Sequence, residues 1–586
     1  MVRLLTCYNF AMSFIDQLKQ EISGDVTTTD LEKYSKDWSL FSVMPEVVVA
    51  PKDSVDIQKL VQIVSEYKKD NPNLSITARA AGTDMTGGPL NNSIILDVTK
   101  YLSGTRSVAR ADGGMQKSFY GHEYRVTGKA IVLPGTYYRD FEKETLKQSL
   151  IMPCYPASRE LCAVGGMVAN NGAGERTLKY GQNVDFVKKL RVVLSDGNEY
   201  DVGPLTFAEL QSQMGRGDLL GKVCTEIYGV VKGNWDMIQE HKPKTSKNAA
   251  GYYIWDVVQA ESIEKFESGE GVFDLTKLIV GAQGTTGIIT EITYKLVDTH
   301  KAHDLLVVYV RDLAVVPDLV KKLMKHDLEM LEMYDDNTFK IGVKFFKDFL
   351  RDKGLWGAIK YSLRFFPEVW MAITKGVPKL IVLAEFVGDT EIEVHAAMRK
   401  AQHSIETLPV SSRRVPRDAE EEKFWDFRHD SFKILTEHSS ETRAAGEGSR
   451  TAPFIDDIAV NPEHLPEYLP KLIKILDEYK LLYTIAGHLG NGNFHVIPLM
   501  DLDEIGDGKK ILEISEKVYE LVLQYEGSLT AEHNDGIIRT PYLEKQFGVD
   551  MVEIFSQIKY IFDPQNIFNP GKKVGGTLDD VRKHIQ

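Results

Sequence analysis

The stretch ARAAGTDMTGGPLNN at residues 78–92 decides the fold class. It connects two short β-branched runs, at 75–80 and 93–98, that follow a helical pattern beginning at Ser54. Its glycines permit positive φ angles or a close approach of ligand to backbone. A run of free N–H groups in such a loop forms an anion-binding concavity. The pattern predicts an α+β domain with an anion-binding loop, and the alternative is a tight hairpin without a ligand.

Two further glycine-rich loops lie downstream, PCYPASRELCAVGGMVANNGAGERTLKYG at 153–181 and GAQGTTGIIT at 281–290. Backbone of this kind is costly to order without a partner. The chain has no Walker sequence and no Gly-x-Gly-x-x-Gly fingerprint opening a βαβ unit. The loops therefore favour a bound nucleotide and argue against a Rossmann fold or a nucleoside triphosphatase.

A second constellation is IAGHLGNGNFHVIPL at 485–499. His488 and His495 are seven positions apart, so one continuous strand would point them to opposite faces. The Asn-Gly between them predicts a hairpin turn that brings both imidazoles together. Glu532 and His533 add a carboxylate and a third imidazole. The set predicts a zinc, manganese or iron site, and the alternative is histidines that cap turns or fill a core.

Composition excludes several classes of protein. The chain has 586 residues, 43% of them hydrophobic and 26% charged, which is typical of a folded globular protein. A net charge of −14 makes nucleic acid an unlikely partner. Cys7, Cys154, Cys162 and Cys224 form no Cys-x-x-Cys pair, which argues against a disulfide framework or an iron–sulfur cluster. With no targeting segment or spanning helix in the sequence, we expect a cytoplasmic enzyme.

Residues 339–379 form a basic-aromatic stretch. It carries nine Lys or Arg and three Asp or Glu, hence +6 within an acidic chain. One interpretation is a helix pair buried in a cap domain. The other is a segment that lies on an anionic membrane, where it would suit electron delivery to a quinone and a peripheral location on the inner face of the plasma membrane.

The three glycine loops resemble the FAD-binding domain of the vanillyl-alcohol-oxidase/PCMH superfamily. Residues 79–88 match the pyrophosphate loop, 165–181 match the second flavin segment, and 283–288 match Glu-Gly-Thr-x-Gly-Ile with Gln283 in place of Glu. Thr83 stands near the position where some branches link FAD to histidine, so the resemblance implies non-covalent FAD. The residues that the resemblance assigns to FAD are Arg79, Ala80, Gly82, Thr83, Asp84, Thr86, Gly87, Gly88, Pro134, Gly135, Pro156, Ser158, Gly165, Gly166, Asn170, Asn171, Gly172, Gly174, Tyr180, Gly181, Gln283, Gly284, Gly287, Ile288 and Asn569.

The histidine hairpin resembles the C-terminal domain of the FAD-linked 2-hydroxyacid dehydrogenases, the branch of D-lactate dehydrogenase, the glycolate oxidase flavoprotein subunit and D-2-hydroxyglutarate dehydrogenase. The resemblance spans about residues 40–575 and implies that His488, His495 and Glu532 bind a divalent metal and that His533 lies at the reactive face of the flavin. The family's Trp-x-x-Arg is matched at 425–428, and its Arg grips the substrate carboxylate, a task suited to a planar guanidinium.

The end of the chain and three departures complete the comparison. KYIFDPQNIFNPGK matches the family's closing motif and implies that Asn569 and Lys572 return near the flavin. The 2-hydroxyglutarate enzymes place polar residues where Ile455 and Ile497 stand here, which favours a small or apolar 2-hydroxy acid. Asn534 replaces a family glycine and could reshape the pocket.

The sequence hypothesis is oxidation of a D-2-hydroxy acid to a 2-oxo acid, with hydride passing to FAD. Arg428 would hold the carboxylate, the metal would bind the hydroxyl, and His533 would act as general base. Quinone, cytochrome, an electron-transfer protein and oxygen stay open as electron acceptors, and the oligomeric state is undetermined. The alternatives are an alkyl-glycerone-phosphate synthase-like or aldonolactone oxidase-like flavoenzyme, or a non-catalytic flavin- or metal-binding subunit of a redox complex.

The expected architecture is an α+β fold in four parts. A helical lead-in occupies residues 1–39, and a PCMH-type FAD-binding domain of two α+β subdomains occupies 40–297. An α+β cap or substrate domain follows at 298–500, with the basic-aromatic stretch as an insertion. A C-terminal helical segment, 501–586, is expected to return to the flavin and complete the active site.

Overall fold

The computed structural model describes residues 14–338, 376–415, 421, 424–425, 450–500 and 507–585. Arg428, Cys7 and all but the last four residues of the basic-aromatic stretch lie outside these ranges, so the predictions made for them stay predictions. Residues 14–21 are helical, in agreement with the expected lead-in.

The strands are short in the first half of the chain and longer in the second. Their bounds are β1 Asp25–Thr27, β2 Val47–Ala50, β3 Ile76–Arg79, β4 Ile94–Asp97, β5 Thr105–Lys117, β6 Glu123–Val132, β7 Leu150–Ile151, β8 Val187–Val193, β9 Glu199–Val202, β10 Pro204–Leu205, β11 Val258–Gln259, β12 Val272–Asp274, β13 Ile288–Asp298, β14 Ala302–Val310, β15 Met330–Asp335, β16 Leu380–Gly388, β17 Ser411–Val415, β18 Arg450–Thr451, β19 Ile458–Ala459, β20 Leu482–His488 and β21 Asn493–Met500.

The helices alternate with these strands. Their bounds are α1 Ser54–Tyr67, α2 Tyr138–Leu146, α3 Val164–Ala169, α4 Thr177–Tyr180, α5 Asn183–Phe186, α6 Phe207–Met214, α7 Leu219–Gly233, α8 Trp235–Glu240, α9 Ile263–Glu267, α10 Thr276–Ile279, α11 Val316–Leu323, α12 Glu391–Ser404, α13 Leu465–Glu478, α14 Asp507–Gln524, α15 Gly536–Arg539, α16 Leu543–Phe562 and α17 Leu578–His584. Within the described residues, no helix combines the length and apolar character needed to cross a bilayer.

A four-stranded sheet with the order β1-β2-β4-β3 carries the first glycine loop. Strands β3 and β4 run parallel, so the loop between them is a crossover and not the tight hairpin that was the alternative. Helix α1 covers this sheet with an apolar face that includes Ile57, Leu60 and Val64. The helix begins at Ser54 as predicted, and its N-cap is Asp53, which accepts hydrogen bonds from the N–H groups of Val55 and Asp56.

A six-stranded antiparallel sheet in the order β5-β6-β13-β8-β9, with β7 paired to β13, forms the second part of the first half. Strands β5 and β6 are consecutive in the chain and form an antiparallel hairpin. A small sheet in the order β10-β12-β11 and helices α6 to α8 complete this half.

The second half of the chain forms an eight-stranded sheet in the order β17-β14-β16-β15-β20-β21-β18, with β19 paired to β21. Helices α11, α12 and α13 pack on one side of it in a continuous apolar core. Strand β14 precedes helix α11, and strand β16 precedes helix α12, so this half has the α+β character expected for it. The opposite side of the sheet, called the polar side here, carries Glu332, His488 and His495 as well as a smaller apolar cluster around Leu305 and Leu383.

The end of the chain returns to the first half. Helix α16 packs against α7, and its Phe547 and Phe555 rings contact those of Trp255 and Tyr252. Phe568 then pairs in parallel with Ile76, beside the start of the first glycine loop. Residues that are far apart in the sequence therefore enclose one internal space.

Candidate active site

The internal space is a cavity of about 1000 Å³ between the glycine loops and the polar side of the eight-stranded sheet. Most residues that the sequence assigned to FAD lie in its wall. They are Arg79, Ala80, Gly82, Thr83, Asp84, Gly88, Pro134, Pro156, Ser158, Gly165, Gly166, Asn170, Gly172, Gln283, Gly284 and Gly287. His495, Glu532 and His533 lie in the same wall, so both constellations of the sequence meet here.

Small residues are required where the loops pack on one another. Gly82 has a φ of 73°, a conformation that side chains other than glycine's rarely adopt. A Cβ atom on Gly88 would lie 2.5 Å from Nε2 of Gln283. A side chain would therefore strain the backbone at Gly82 and would displace the amide of Gln283 at Gly88.

Asp84 and Gln283 tie the three loops together. Oδ2 of Asp84 accepts hydrogen bonds from the N–H groups of Thr86 and Gly88, and its Oδ1 accepts from Nδ2 of Asn170 at 2.6 Å. Gln283 has a φ of 51°, and its Oε1 accepts from the N–H of Gly536 at 2.9 Å. Gln thus keeps an acceptor at the position of the family's Glu.

The cofactor role of all these residues stays a prediction. The remaining residues assigned to FAD do not line the cavity. They are Thr86, Gly87, Gly135, Asn171, Gly174, Tyr180, Gly181, Ile288 and Asn569. Several of them support the wall. Asn569 donates hydrogen bonds to the carbonyls of Gly88 and Gln283, and Lys572 donates to that of Leu90.

The histidine hairpin forms as predicted. Gly492 makes the left-handed turn with a φ of 64°, and the register pairs Ala486 with His495 and His488 with Asn493. His488 and His495 are therefore diagonal neighbours on one side of the sheet, with ring centroids 5.3 Å apart. The His495 ring also stacks on His533 at 5.1 Å.

Glu532 lies at the centre of this cluster. Its Oε1 is 3.3 Å from Nε2 of His488, 3.3 Å from Nε2 of His495 and 3.9 Å from Nε2 of His533. The sequence thus identified four residues that the fold brings together. Its fifth candidate for this chemistry, Arg428, lies outside the described residues.

Each imidazole is oriented by a partner at Nδ1. His488 faces the carboxylate of Glu332 at 2.6 Å, His495 the carbonyl of Asp456 at 3.0 Å, and His533 the carboxylate of Asp456 at 2.7 Å. A partner at Nδ1 fixes the tautomer and directs Nε2 inward. All three Nε2 atoms therefore face Oε1 of Glu532.

Asp457 anchors the segment that carries Glu532. Its Oδ2 accepts hydrogen bonds from the hydroxyl of Thr530 and from the N–H groups of Ala531, Glu532 and His533. Ligand atoms of Asp457, His495, Glu532 and His533 all lie within 4.8 Å of one another. Because four donors already occupy Asp457, we assign it an anchoring role and keep His488 as the third donor beside Glu532 and His495.

A buried cation completes the cluster. Lys247 is fully buried, and its Nζ donates to Oε2 of Glu532 at 2.7 Å and to Oδ1 of Asn493 at 3.2 Å. Burial favours the neutral acid, but Lys247 and His488 outweigh it and hold the pKa of Glu532 well below its usual range. Glu532 is therefore a carboxylate at neutral pH.

The pKa values of two histidines shift in opposite directions. Burial lowers the pKa of His495 despite the nearby Glu532 carboxylate. Burial also acts to lower the pKa of His533, but Asp457 and Asp456 reverse this and raise it to about 10. His495 thus offers a neutral ligand nitrogen, whereas His533 holds a proton in the chain alone.

The donor set fits a divalent transition metal. Two inward-facing imidazole nitrogens and one ionised carboxylate oxygen converge, and outer partners fix their orientation, which is the arrangement typical of such sites. Lys247 occupies only the second oxygen of Glu532, so Oε1 is available to a cation.

Sequence analysis missed the supporting residues of the cluster. They are Lys247, Glu332, Asp456, Asp457 and Arg539. The double Asp at 456–457, followed by a short apolar run, was the one local signal. The others come from separate parts of the chain and carry no motif.

The departures noted in the sequence take different positions. Ile497 lies in the cavity wall, opposite Thr484 in the β20–β21 register. Ile455 instead fills the apolar core of the sheet, so the expectation that both residues shape the pocket holds for Ile497 alone. Asn534, at a φ of 74°, donates to the carbonyls of Asn170 and Gly281 and so braces two glycine loops.

Comparisons with known proteins agree with this geometry. A family model for the FAD binding domain matches residues 45–203, and one for the C-terminal domain of FAD linked oxidases matches residues 299–573. The chain belongs to the FAD-linked oxidase family.

Curated relatives have low identity and long alignments. D-2-hydroxyglutarate dehydrogenase of Escherichia coli K12 is 25% identical over 96% of this chain and 51% of its own length. Glycolate oxidase subunit GlcD of Bacillus subtilis is 23% identical over 93% of this chain and 92% of its own length. D-lactate dehydrogenase of Archaeoglobus fulgidus is 23% identical over 90% of this chain and 91% of its own length. The chain spans about half the length of the first of these relatives.

Solved structures share the fold. An alkyldihydroxyacetonephosphate synthase structure matches at a TM-score of 0.63 and 14% identity, over 95% of this chain and 85% of the other. A structure of 4-ethylphenol oxidase from Gulosibacter chungangensis matches at a TM-score of 0.63 and 14% identity. The alignment covers 97% of this chain and 97% of the other. The fold is that of the PCMH-type FAD oxidases.

We predict that the purified protein is yellow and releases its FAD when it is denatured. Thr83 lies in the cavity wall, and its hydroxyl cannot form the histidyl link known from other branches. The measurement is flavin absorbance in the supernatant after acid precipitation. Flavin colour that stays with the precipitated polypeptide would contradict non-covalent binding.

Proposed function

We propose that the chain oxidises a D-2-hydroxy acid resembling D-lactate to the 2-oxo acid and passes the electrons to a non-nicotinamide acceptor. The observation that carries the proposal is one cavity wall that contains both the glycine loops and the Glu532 cluster. The names of the relatives, which include D-2-hydroxyglutarate dehydrogenase, GlcD and D-lactate dehydrogenase, support the same substrate class.

The proposed roles follow from the contacts. The glycine loops would hold FAD, which would supply a hydride acceptor for the oxidation. A divalent ion held by His488, His495 and Glu532 would supply electrostatic stabilisation of charge on the substrate hydroxyl oxygen. Arg428 is proposed to bind the carboxylate.

His533 is the proposed general base. Asp456 holds its Nδ1, so the proton of the substrate hydroxyl would be taken at Nε2, which faces the cavity. A base must be neutral, and the carboxylates alone raise the pKa of His533 to about 10. Positive charge bound beside Glu532 would lower this pKa, because like charges disfavour each other.

Ile497 supports a monocarboxylate as substrate. Its side chain offers the distal end of a substrate an apolar surface, and a second carboxylate buried there without a partner would be costly. The proposal therefore favours D-lactate over D-2-hydroxyglutarate, although the latter is named in the first of the relatives.

Anaerobic flavin bleaching tests the proposed function. We expect D-lactate to bleach the flavin fully, and L-lactate and D-2-hydroxyglutarate to react at least about tenfold more slowly, a difference of about 1.4 kcal/mol. Replacing Ile497 with Arg should shift the preference toward D-2-hydroxyglutarate. A flavin that no 2-hydroxy acid bleaches would contradict the proposal and leave the alternative flavoenzymes or a non-catalytic subunit.

We further propose that the protein is cytoplasmic and that residues 339–379 attach it to an anionic membrane. Each Lys or Arg near such a surface contributes about 1 kcal/mol. Trp356 and Trp370 could anchor at the headgroup level. A quinone in that membrane would be a suitable acceptor, with a cytochrome or an electron-transfer protein as the alternatives.

Vesicle co-sedimentation tests the membrane proposal. We predict that the protein binds anionic vesicles at low salt and that a Lys344→Glu, Lys347→Glu, Arg351→Glu variant does not. The matched control reverses three exposed cations elsewhere, Lys222→Glu, Lys265→Glu and Arg582→Glu, with the same change in net charge. Equal sedimentation of both variants would exclude a specific role of this stretch.

A further inference from the structure

A second cluster of ligand-type residues lies on the same side of the eight-stranded sheet, away from the Glu532 cluster. His303 is on β14, and Glu385 is on β16 directly opposite Leu305. His303 and Glu385 are therefore diagonal neighbours on one side of the sheet. Glu421 belongs to a segment whose Phe424 packs on Leu305, Val307 and Leu383 of that side.

The three residues converge on one point. Each offers a ligand atom, and these atoms all lie within 4.8 Å of one another. Nε2 of His303 is 3.1 Å from Oε2 of Glu421. The other oxygen, Oε1, accepts a hydrogen bond from Nε1 of Trp425 at 3.3 Å, which fixes the carboxylate of Glu421.

Glu385 supplies the second, independent observation. Its side chain is buried, with 7% of the residue exposed, and its Oε2 has no hydrogen-bond partner within the described part of the chain. A buried carboxylate oxygen without a partner is costly, because desolvation is not compensated. Such an oxygen, beside an imidazole and a second carboxylate, points to a cation.

The nearby cations are directed at a different carboxylate. Nε of Arg176 is 3.3 Å from Glu329, and Nζ of Lys179 is 4.0 Å from it. Burial raises the pKa of Glu385 to about 8. The charge of Arg176 offsets part of this increase, and the charges of Glu329 and Glu421 add to it. Either a shared proton or a bound cation can satisfy Glu385, and experiment distinguishes the two.

We propose that His303, Glu385 and Glu421 bind one divalent transition-metal ion, with Zn²⁺ as the ion to test. One imidazole nitrogen and two carboxylate oxygens suit zinc, and three protein ligands leave a position for water. The site shares no residue with the Glu532 cluster. The bound ion would fasten the segment that contains Glu421 and Trp425 to β14 and β16. Glu421 lies seven residues before Arg428 in the chain.

Metal stoichiometry of the FAD-containing protein tests the site. After chelator treatment, reloading with Zn²⁺ and dialysis, we expect two bound ions per chain by elemental analysis. Glu385→Gln and His303→Ala should each bind one ion, and combining Glu385→Gln with His495→Ala should remove both. His395→Ala is the matched control, because His395 also pairs with a carboxylate on the sheet, Asp304, and should keep both ions.

A wild-type chain and a Glu385→Gln variant with equal zinc content would overturn the proposal and indicate a protonated Glu385. FAD content and circular dichroism identify a variant that fails to fold. In that event, Co²⁺ bound to the wild-type chain decides: absorption bands of two distinct sites support the proposal, and bands of one site oppose it. If the Glu532 cluster binds no metal, loss of a single ion on Glu385→Gln still supports the second site.

Discussion

Replacing His495 with Ala is expected to remove the metal of the Glu532 cluster and to lower kcat by about 10²–10³-fold. Stabilisation of developing charge by a metal ion is worth several kcal/mol, and each 1.4 kcal/mol is about tenfold in rate. FAD should stay bound, because the polar contacts of His495 are with Glu532 and the carbonyl of Asp456. Elemental analysis, flavin absorbance and turnover with an artificial acceptor measure the three quantities.

His403→Ala is the matched control for this prediction. His403 is exposed and pairs only with Glu406 on the helix surface among the contacts described, so its loss should leave metal, flavin and rate unchanged. A His495→Ala protein with normal metal content and a normal rate would show that the hairpin histidines are structural.

The fold class was predictable because its signals are local. The loop at 78–92 is rich in glycine and lies between two apolar runs, and such a loop is legible within fifteen residues. What the sequence could not show is that β3 and β4 run parallel, because strand direction depends on pairing with β2. The hairpin alternative could therefore be excluded only with the structure.

The residues of the site that belong to a local motif could be predicted from the sequence. His488 and His495 flank one turn, and their register on β20 and β21 follows from hairpin geometry. Glu332 reaches His488 from β15, and the position of that strand beside β20 is set by long-range pairing. Its sequence context, a short apolar strand, carries no sign of this contact.

The positions of Lys247 and Ile455 could not be predicted from the sequence either. Lys247 ends the basic run KPKTSK at 242–247, and lysine is a residue type that is rarely buried, yet it is fully buried against Glu532. Ile455 is one position from Asp456, which lines the cavity, yet its side chain lies in the apolar core with that of Phe454. Two adjacent residues therefore lie in different places, Asp456 in the cavity wall and Ile455 in the core.

Asp456 is expected to be the residue of the site on which stability depends most. Its carboxylate contacts Nη2 of Arg539 at 2.5 Å and Nδ1 of His533 at 2.7 Å, and both Asp456 and Arg539 are fully buried. Arg539 and His533 together more than offset the cost of burial and lower the pKa of Asp456, so it is ionised at neutral pH.

Asp456→Ala is predicted to destabilise the protein by about 3–5 kcal/mol, because a buried guanidinium loses its counter-charge. The midpoint of thermal unfolding should fall by about 6–20 °C, since 1 kcal/mol corresponds to about 2–4 °C in domains of this size. The control is Asp579→Ala, which removes an exposed ion pair with Arg582 and should cost less than about 1 kcal/mol. Equal midpoints for the two variants would contradict a structural role of the Asp456–Arg539 pair.

Asp456→Asn separates stability from catalysis. The amide keeps the shape of the side chain and can still accept a hydrogen bond, so its midpoint should lie between those of wild type and Asp456→Ala. It cannot stabilise a charged His533, and its NH₂ group favours the tautomer with the proton on Nε2, which blocks the nitrogen that faces the cavity. We therefore expect a folded, FAD-containing protein whose kcat is lower by about 10²–10⁴-fold, the usual contribution of general acid–base catalysis. A normal rate in this variant would show that His533 does not act as the base.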